Sequence, residues 1–229
     1  MAAVSILAAA IAPGAALLIY FYLEDRYEPE PFRYVIKMFL VGVLIVLPTI
    51  VIQRGIILAF DYNDFWLAFF ISGAIEEFMK WFFLYYMIFH HPVFDEPYDA
   101  IVYSAAVSLG FATLENIFYI WSHSASFAAL LTRGLLPVSG HALFAVTMGY
   151  YMGKAKFNGE ARKKHLTAAI AYPIFWHGLY DYILLSVESW VAVISVFMII
   201  LWMRSLKKVR LANHRSPFRQ ISSDNKVEF

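Results

Sequence analysis

Seven apolar runs, each close to the length that crosses a bilayer, constrain the fold of this chain more than any other feature. A transmembrane helix needs about 20 mostly apolar residues, because the hydrocarbon core is about 30 Å thick and each residue rises 1.5 Å. The runs lie at residues 3–23, 34–58, 65–89, 98–121, 135–153, 165–186 and 188–204. Hydrophobic residues make up 61% of the chain, against roughly 45–50% in soluble domains. The sequence therefore predicts an all-α, polytopic transmembrane bundle of seven helices, with eight as the alternative count.

The runs form one predicted membrane domain, residues 1–205. Residues 206–229 form a basic tail whose polar end lacks periodicity, so we expect a disordered cytoplasmic segment there. Residues 1–23 contain no Lys or Arg, and a signal peptide would begin with basic residues, so the first helix is expected to be retained. The chain has no cysteine, which excludes disulfides, thiolate nucleophiles and cysteine-based zinc sites.

The basic residues predict the orientation of the bundle. Of the 18 Lys and Arg residues, 15 fall in the first connection, the fifth connection and the tail. Cytoplasmic loops are enriched in Lys and Arg, so these three segments are expected in the cytoplasm. The N-terminus is then outside and the C-terminus inside, in a multi-pass protein of the bacterial cell membrane.

Ionisable residues inside the apolar runs predict the position of a site. Glu76 and Glu77 are adjacent in the third run, and Lys80 follows one turn later. An unpaired carboxylate in hydrocarbon costs several kcal/mol, so such residues are either mutually compensated or functional. The other runs contribute Glu115, Asn116, His141, His177 and Asp181. In the predicted orientation the ionisable groups lie roughly 9–17 Å below the outer surface, which favours one water-accessible cavity that opens outward.

Helical spacing suggests how these residues are arranged. His177 and Asp181 are four residues apart and share a face, so Asp181 is expected to orient the imidazole. Glu76 and Glu77 are about 100° apart around their helix, so one faces the cavity and the other braces it. Lys80 can neutralise either carboxylate. The spacing does not say which glutamate has which role.

Carboxylates and imidazoles around a wet cavity suit peptide hydrolysis. A glutamate can act as general base toward a water, and an imidazole or amide can stabilise the developing oxyanion. A zinc-dependent version uses the same residues, since histidines and glutamates can ligate Zn while one position stays open. The sequence has no HExxH motif. Residue types alone do not separate the metal-free from the metal-dependent version.

Three other interpretations compete with a protease. The charged residues could be buried ion pairs that only lock helix packing. A proton-coupled transporter could use the same carboxylates as a relay, although it predicts inverted repeats, which the sequence does not show. A non-catalytic sensor or immunity protein could bind peptides at a decayed site, but candidate residues are present at every motif position.

Five segments give the chain a specific resemblance. They are YFYLEDRYEPEP, ISGAIEEFMKW, FDEPYDAIVYSAAVSLGFATLENIFY, LLPVSGHALFAVTMGYYMGKAKF and HGLYD. They resemble the PrsW family of bacterial intramembrane proteases from about residue 10 to residue 185. That family is related to the CAAX-processing and bacteriocin-immunity membrane proteases, whose pattern is Glu-Glu, then FxxxH or FxxxE, then HxxxN or HxxxD.

The resemblance implies roles for particular residues. Glu76–Glu77, Phe111 with Glu115, and His177 with Asp181 match the three motifs, and His141 lies between the last two. Glu115 stands where the CAAX branch usually has histidine, and Lys80 stands near a basic arginine position, which weakens the case for a prenylated substrate. The implied catalytic residues are Glu76, Glu77, Glu115, His141 and His177, supported by Lys80, Phe111, Asn116 and Asp181. If a metal is present, its implied ligands are Glu76, Glu115, His141 and His177.

The resemblance also implies a substrate. Members of this type make the first, site-1 cut in a membrane-anchored anti-sigma factor on its extracytoplasmic side, which activates a sigma factor during envelope stress. The expected partners are a single-pass membrane substrate and the lipid bilayer, with no nucleic acid. A cavity in the outer half of the membrane suits such a cut. Zinc is the cofactor that this resemblance leaves open.

Overall fold

The computed structural model of the chain describes residues 2–122, 132 and 134–219, and these parts contain helices and connections but no strand. The all-α prediction is confirmed, and so is the count of seven helices for the described residues. The helices are α1 Ala2–Leu23, α2 Phe32–Ala59, α3 residues 64–89, α4 Asp99–Ser122, α5 residues 134–157, α6 Arg162–Ser186 and α7 Trp190–His214. Their bounds follow the seven apolar runs.

Two of the helices are composite. In α3, Leu67–Ala74 and Tyr85–Phe89 have π-helical hydrogen bonding, and Ile75–Leu84 between them is α-helical. In α5, the π-helical turn Gly134–Val138 precedes Ser139–Phe157. Such wide turns change which side chains face inward and are frequent near functional sites. In α3 the first π-helical stretch ends two residues before Glu76, and in α5 the π-helical turn ends three residues before His141.

The fourth helix is the centre of the bundle. It contacts α1, α2 and α5, while α5 also contacts α6 and α7. Its residues from Ala100 to Ala112 are all buried. Small side chains make this possible: a Cβ on Gly110 would lie 2.0 Å from the carbonyl oxygen of Phe39, and one on Gly149 would lie 2.3 Å from that of Ala100. Backbones therefore pack directly against each other here, as small residues allow in membrane helices.

Three helices in the described residues are long and apolar enough to cross a membrane: Phe32–Ala59, Asp99–Tyr119 and Trp190–His214. The remaining helices combine apolar stretches with prolines and charged residues. Pro13, Pro137 and Pro173 lie inside α1, α5 and α6. The chain is a membrane protein by its helices, and the orientation of its termini stays a prediction.

The last helix extends past residue 205, the predicted end of the membrane domain. It continues to His214, and Asn213 Nδ2 donates a hydrogen bond to the carbonyl oxygen of Glu24 at 3.0 Å. The first part of the predicted tail is therefore helical and attached to the end of α1. Residues 220–229, and Arg133 on the predicted outer side, lie outside the described residues.

Candidate active site

The two adjacent glutamates of α3 have different surroundings. Glu77 is fully buried, and its Oε1 lies 2.7 Å from Lys80 Nζ and 2.9 Å from His177 Nδ1. Glu76 lines a cavity, with Oε1 accepting a hydrogen bond from Gln53 Nε2 at 3.1 Å. Its Oε2 is buried without a hydrogen-bond partner among the described residues. Glu77 is thus the brace of the pair, and Glu76 is the member that faces the cavity.

Lys80 is a buried cation that contacts several site residues. Its side chain is 1% exposed, and besides Glu77 its Nζ lies 3.6 Å from Glu76 Oε2. The same Nζ lies 3.0 Å from Nδ1 of His141 and 4.3 Å from the ring centre of Phe111. A desolvated cation is stabilised by carboxylates and by the face of an aromatic ring. Lys80 therefore holds α3, α4 and α5 together beside the cavity.

The imidazole of His177 is oriented by Glu77 rather than by Asp181. A donor–acceptor distance of 2.9 Å to Glu77 is a good hydrogen bond, whereas Nε2 lies 3.5 Å from Asp181 Oδ2, beyond the usual range. Asp181 instead accepts a hydrogen bond from Ser72 Oγ at 2.5 Å. The other ring nitrogen, Nε2, faces two carboxylates, with Asp181 Oδ2 at 3.5 Å and Glu76 Oε2 at 3.8 Å.

The second histidine belongs to a separate pair. His141 Nε2 lies 2.8 Å from Glu115 Oε2, which connects α5 to α4. The ring centres of His141 and His177 are 5.2 Å apart and nearly perpendicular. Phe144 stacks on His177 with centres 5.1 Å apart. The two imidazoles therefore meet at the cavity wall while each contacts its own carboxylate.

One cavity of about 160 Å³ brings these groups together. Its lining comes from α3, α4, α5 and α6: Ser72, Glu76, Glu115, Pro137, His141, Phe144, His177, Tyr180, Asp181 and Leu184. A water occupies about 30 Å³ of liquid, so this volume suits roughly five waters. It is smaller than the roughly 300–1,000 Å³ typical of ligand pockets.

Four of the predicted site residues do not line the cavity: Glu77, Lys80, Phe111 and Asn116. Phe111 supports Lys80 and His141 with its ring. Asn116 donates from Nδ2 to the carbonyl oxygen of Ala10 at 3.2 Å and so connects α4 to α1. The catalytic and supporting roles of the site residues stay predictions.

Sequence reasoning missed Gln53 and Ser72, which hydrogen-bond Glu76 and Asp181. Both are polar residues inside apolar runs, and Ser72 precedes Glu76 by one helical turn. This spacing predicts that Ser72 lies on the same face of α3 as Glu76. Gln53 adds a contribution from α2, a helix in which no site residue was predicted.

The donor set fits a metal ion. One ligand atom each from Glu76, His141 and His177 lie within 4.8 Å of one another, and two imidazoles with a carboxylate match catalytic zinc sites. Glu76 Oε2, which accepts no hydrogen bond from a described residue, and Nε2 of His177 lie 3.8 Å apart and can both act as ligands. His141 contacts Lys80 through Nδ1 and Glu115 through Nε2, so one of these two contacts must break before that nitrogen can ligate a metal.

Comparison with known proteins supports one family. The model of the "PrsW family intramembrane metalloprotease" matches residues 30–204. "Protease PrsW" of Geobacillus kaustophilus (strain HTA426) is 49% identical over 213 residues, covering 91% of this chain and 92% of that protein. "Protease PrsW" of Bacillus subtilis (strain 168) is 46% identical over 212 residues, covering 91% and 95%. That of Clostridioides difficile (strain 630) is 34% identical, covering 90% of each. No solved structure matches the chain.

Proposed function

Because this chain belongs to the PrsW family of intramembrane proteases, we propose that its cavity hydrolyses a peptide bond of a membrane-anchored anti-sigma factor. The observation that carries the proposal is the cavity shared by Glu76, Glu115, His141 and His177. Carboxylates and imidazoles around a few waters provide a base and hydrogen-bond donors for hydrolysis. The cut is site-1 cleavage on the extracytoplasmic side of a bacterial cell membrane, which activates the sigma factor in envelope stress.

Each residue of the site has a proposed task. Glu76 takes a proton from a cavity water through Oε2, which accepts no hydrogen bond from a described residue, while Gln53 donates to its other oxygen. Glu77 keeps the Nδ1 proton of His177 in place, so that Nε2 faces the reacting groups. Lys80 compensates the charge of Glu77. Because these contacts are buried, they keep the site in one geometry before a substrate enters.

A zinc ion would be held by Glu76, His141 and His177, with Glu115 beside them. When bound, it would supply a Lewis acid that polarises the peptide carbonyl. In that arrangement Glu76 is a ligand, and the base role passes to Glu115, the carboxylate beside His141 on the cavity wall. Glu77 keeps its role in both versions, since a carboxylate that orients a ligand histidine is common at zinc sites.

The test of the activity is cleavage of single-pass anti-sigma factors by purified protein. We expect Glu76→Gln and His177→Gln each to lower the cleavage rate by about 10²–10⁴-fold, the usual contribution of a general acid or base. Glu188→Gln is the matched control, because Glu188 is an exposed acid near the end of α6. Mass spectrometry of the fragments locates the cut. Full activity in both site variants, or a cut on the cytoplasmic side, would contradict the proposal.

Metal dependence is decided by metal analysis of the active protein. The zinc version predicts about one zinc per chain, loss of cleavage after chelation and recovery on adding Zn²⁺, because the donors of Glu76, His141 and His177 converge. His141→Gln should lower both the zinc content and the activity. Undiminished activity of a metal-free preparation would contradict this version and leave Glu76 as the base.

A further inference from the structure

Four buried acidic residues form a second cluster, which the protease site does not use. Asp25 and Glu30 come from the connection between α1 and α2, Glu96 lies before α4, and Asp99 begins α4. Each is at most 5% exposed. They belong to the segments EDRYEPEP and FDEPYD. The rise along α4 from Asp99 to the active site is roughly 24 Å, so this acid cluster lies at the other end of the bundle.

Most of the oxygens in the acid cluster lack a well-formed hydrogen bond. Both oxygens of Asp25, both oxygens of Glu96 and Oδ1 of Asp99 are buried without a well-formed hydrogen bond from a described residue. The carboxyl groups of Asp25 and Glu96 lie beside each other, and the Ser216 hydroxyl lies near Glu96. None of the ion pairs among the described residues includes one of the four acids. Lys156 acts on Asp99 from a distance, and its Nζ donates to the carbonyl oxygen of His91. A buried, ionised carboxylate is strongly unfavourable unless a cation or hydrogen bonds compensate its charge.

Hydrogen bonds to Asp99 and Glu30 fix the positions of these two acids in the cluster. Asp99 Oδ2 accepts hydrogen bonds from the backbone N–H groups of Asp95 and Glu96, each at 2.8 Å. The hydroxyl of Tyr103 donates to Glu30 Oε2. One oxygen each from Asp25, Glu96 and Asp99 lie within 4.8 Å of one another. Oxygens that ligate Ca²⁺ at roughly 2.3–2.6 Å are separated by no more than about 5 Å, so these three fit around one ion.

We propose that the acid cluster binds one hard divalent cation, Ca²⁺ or Mg²⁺, which ties the α1–α2 connection to the start of α4. The donors are carboxylate oxygens only, which suits these ions rather than zinc, whose sites favour nitrogen and sulfur. Glu30, hydrogen-bonded to Tyr103, completes the negative shell. The site is structural, and it is independent of the proposed proteolysis.

Protonation of the carboxyl groups is the alternative to a bound cation as the source of charge compensation. Burial, followed by the neighbouring carboxyl of Glu96, raises the pKa of Asp25 to about 9. Burial also raises the pKa of Glu30, to about 7. The cluster thus needs positive charge at neutral pH, either as protons shared among the carboxyl groups or as a cation. Direct ion binding distinguishes the two.

The experiment uses the full chain in detergent, treated with chelator and dialysed. Equilibrium dialysis is done with Ca²⁺ and with Mg²⁺ in separate arms, and thermal unfolding is followed in each. We expect one saturable ion per chain and a Tm increase of about 5–10 °C at 100-fold excess over Kd. Asp25→Asn and Glu96→Gln should lose both effects. Glu28→Gln, which changes an acid of the same connection outside the cluster, should keep them.

Glu76→Gln should also keep the Tm increase, because its carboxylate belongs to the distant protease site. The proposal is overturned if the wild-type chain binds neither ion saturably, a result that needs no variant to fold. It is equally overturned if the Asp25→Asn, Glu96→Gln double variant binds the ion as the wild type does.

Discussion

Glu76 and Glu77 are neighbours in the chain, and the structure gives them opposite surroundings. Glu77 shares its Oε1 between the cation of Lys80 and the imidazole of His177, whereas Glu76 reaches the cavity. Glu77 is the closest carboxylate to Lys80, at 2.7 Å, whereas Glu76 Oε2 lies 3.6 Å from the same cation, so the loss of Glu77 removes more of the charge compensation of Lys80. The two residues should therefore differ in their effect on stability.

The first prediction compares Glu77→Gln with Glu76→Gln. Glu77→Gln should lower the free energy of unfolding by roughly 3–5 kcal/mol, because Lys80 stays buried without its closest carboxylate. Glu76→Gln should change it by less than about 1 kcal/mol while cleavage is lost. Unfolding of the purified variants in detergent measures the first quantity, and fragment formation measures the second.

The double variant Glu77→Gln, Lys80→Met is the control for this comparison. Removal of both charges should restore most of the lost stability, since a neutral pair has no desolvated charge. Its cleavage activity should stay low, because the Nδ1 proton of His177 is then no longer fixed by a carboxylate. Equal stability of the two single variants would contradict the assignment of Glu77 as the brace.

At the scale of helices, contact between backbones places the site residues of different helices at one level. Gly42 of α2 lies against α4, where an added Cβ would be 2.0 Å from the carbonyl oxygen of Val107. Gly110 of α4 lies against α2 in the same way. The two glycines face each other's helix in a reciprocal contact. This contact places α2, and with it Gln53, beside the glutamates of α3.

The second prediction concerns this contact. Gly42→Ala should destabilise the protein by about 1–3 kcal/mol, because the helices must separate to admit the methyl group. Gly55→Ala lies on the same helix and meets nothing within 4 Å. Gly55→Ala should leave the stability unchanged or raise it by up to about 1 kcal/mol, because alanine is favoured over glycine inside a helix by about that amount. Thermal unfolding of the two variants checks both, and a shift of the same sign in both would refute the packing argument.

At the scale of the whole molecule, the orientation of the bundle in the membrane determines whether the cavity opens toward the outside or toward the cytoplasm. The basic residues predict the α2–α3 connection outside and the α5–α6 connection inside. The predicted position of the site residues in the outer half of the membrane depends on that orientation. An inverted bundle would open the same cavity toward the cytoplasm.

The third prediction tests the orientation directly, since a chain without cysteine gives no background labelling. Asn63→Cys in the α2–α3 connection should react with a membrane-impermeant maleimide in intact cells. Gly159→Cys in the α5–α6 connection should react only after the cells are permeabilised. The reverse pattern would place the termini on the opposite sides and exclude an extracytoplasmic cut.

Much of this protein was predictable from its sequence because hydrophobicity and charge are local properties. The seven apolar runs predict the helices, since a backbone in hydrocarbon must satisfy its hydrogen bonds internally. Ionisable residues within those runs are costly, so Glu76, Glu115, His141 and His177 stand out from the sequence alone. Helical rise then places them at similar depths, in line with the cavity that they share.

The partners of those residues were decided only by the tertiary structure. Spacing along one helix favours Asp181 as the residue that orients His177, but the packing of α3 against α6 brings Glu77 closer. Gln53 and Ser72 enter the site by the same kind of contact between helices. The positions of the charged residues within the apolar runs already show which groups must be compensated in the membrane. The packing of the helices selects the partner of each group, because a difference of a few tenths of an ångström between atoms far apart in the chain decides whether a hydrogen bond forms.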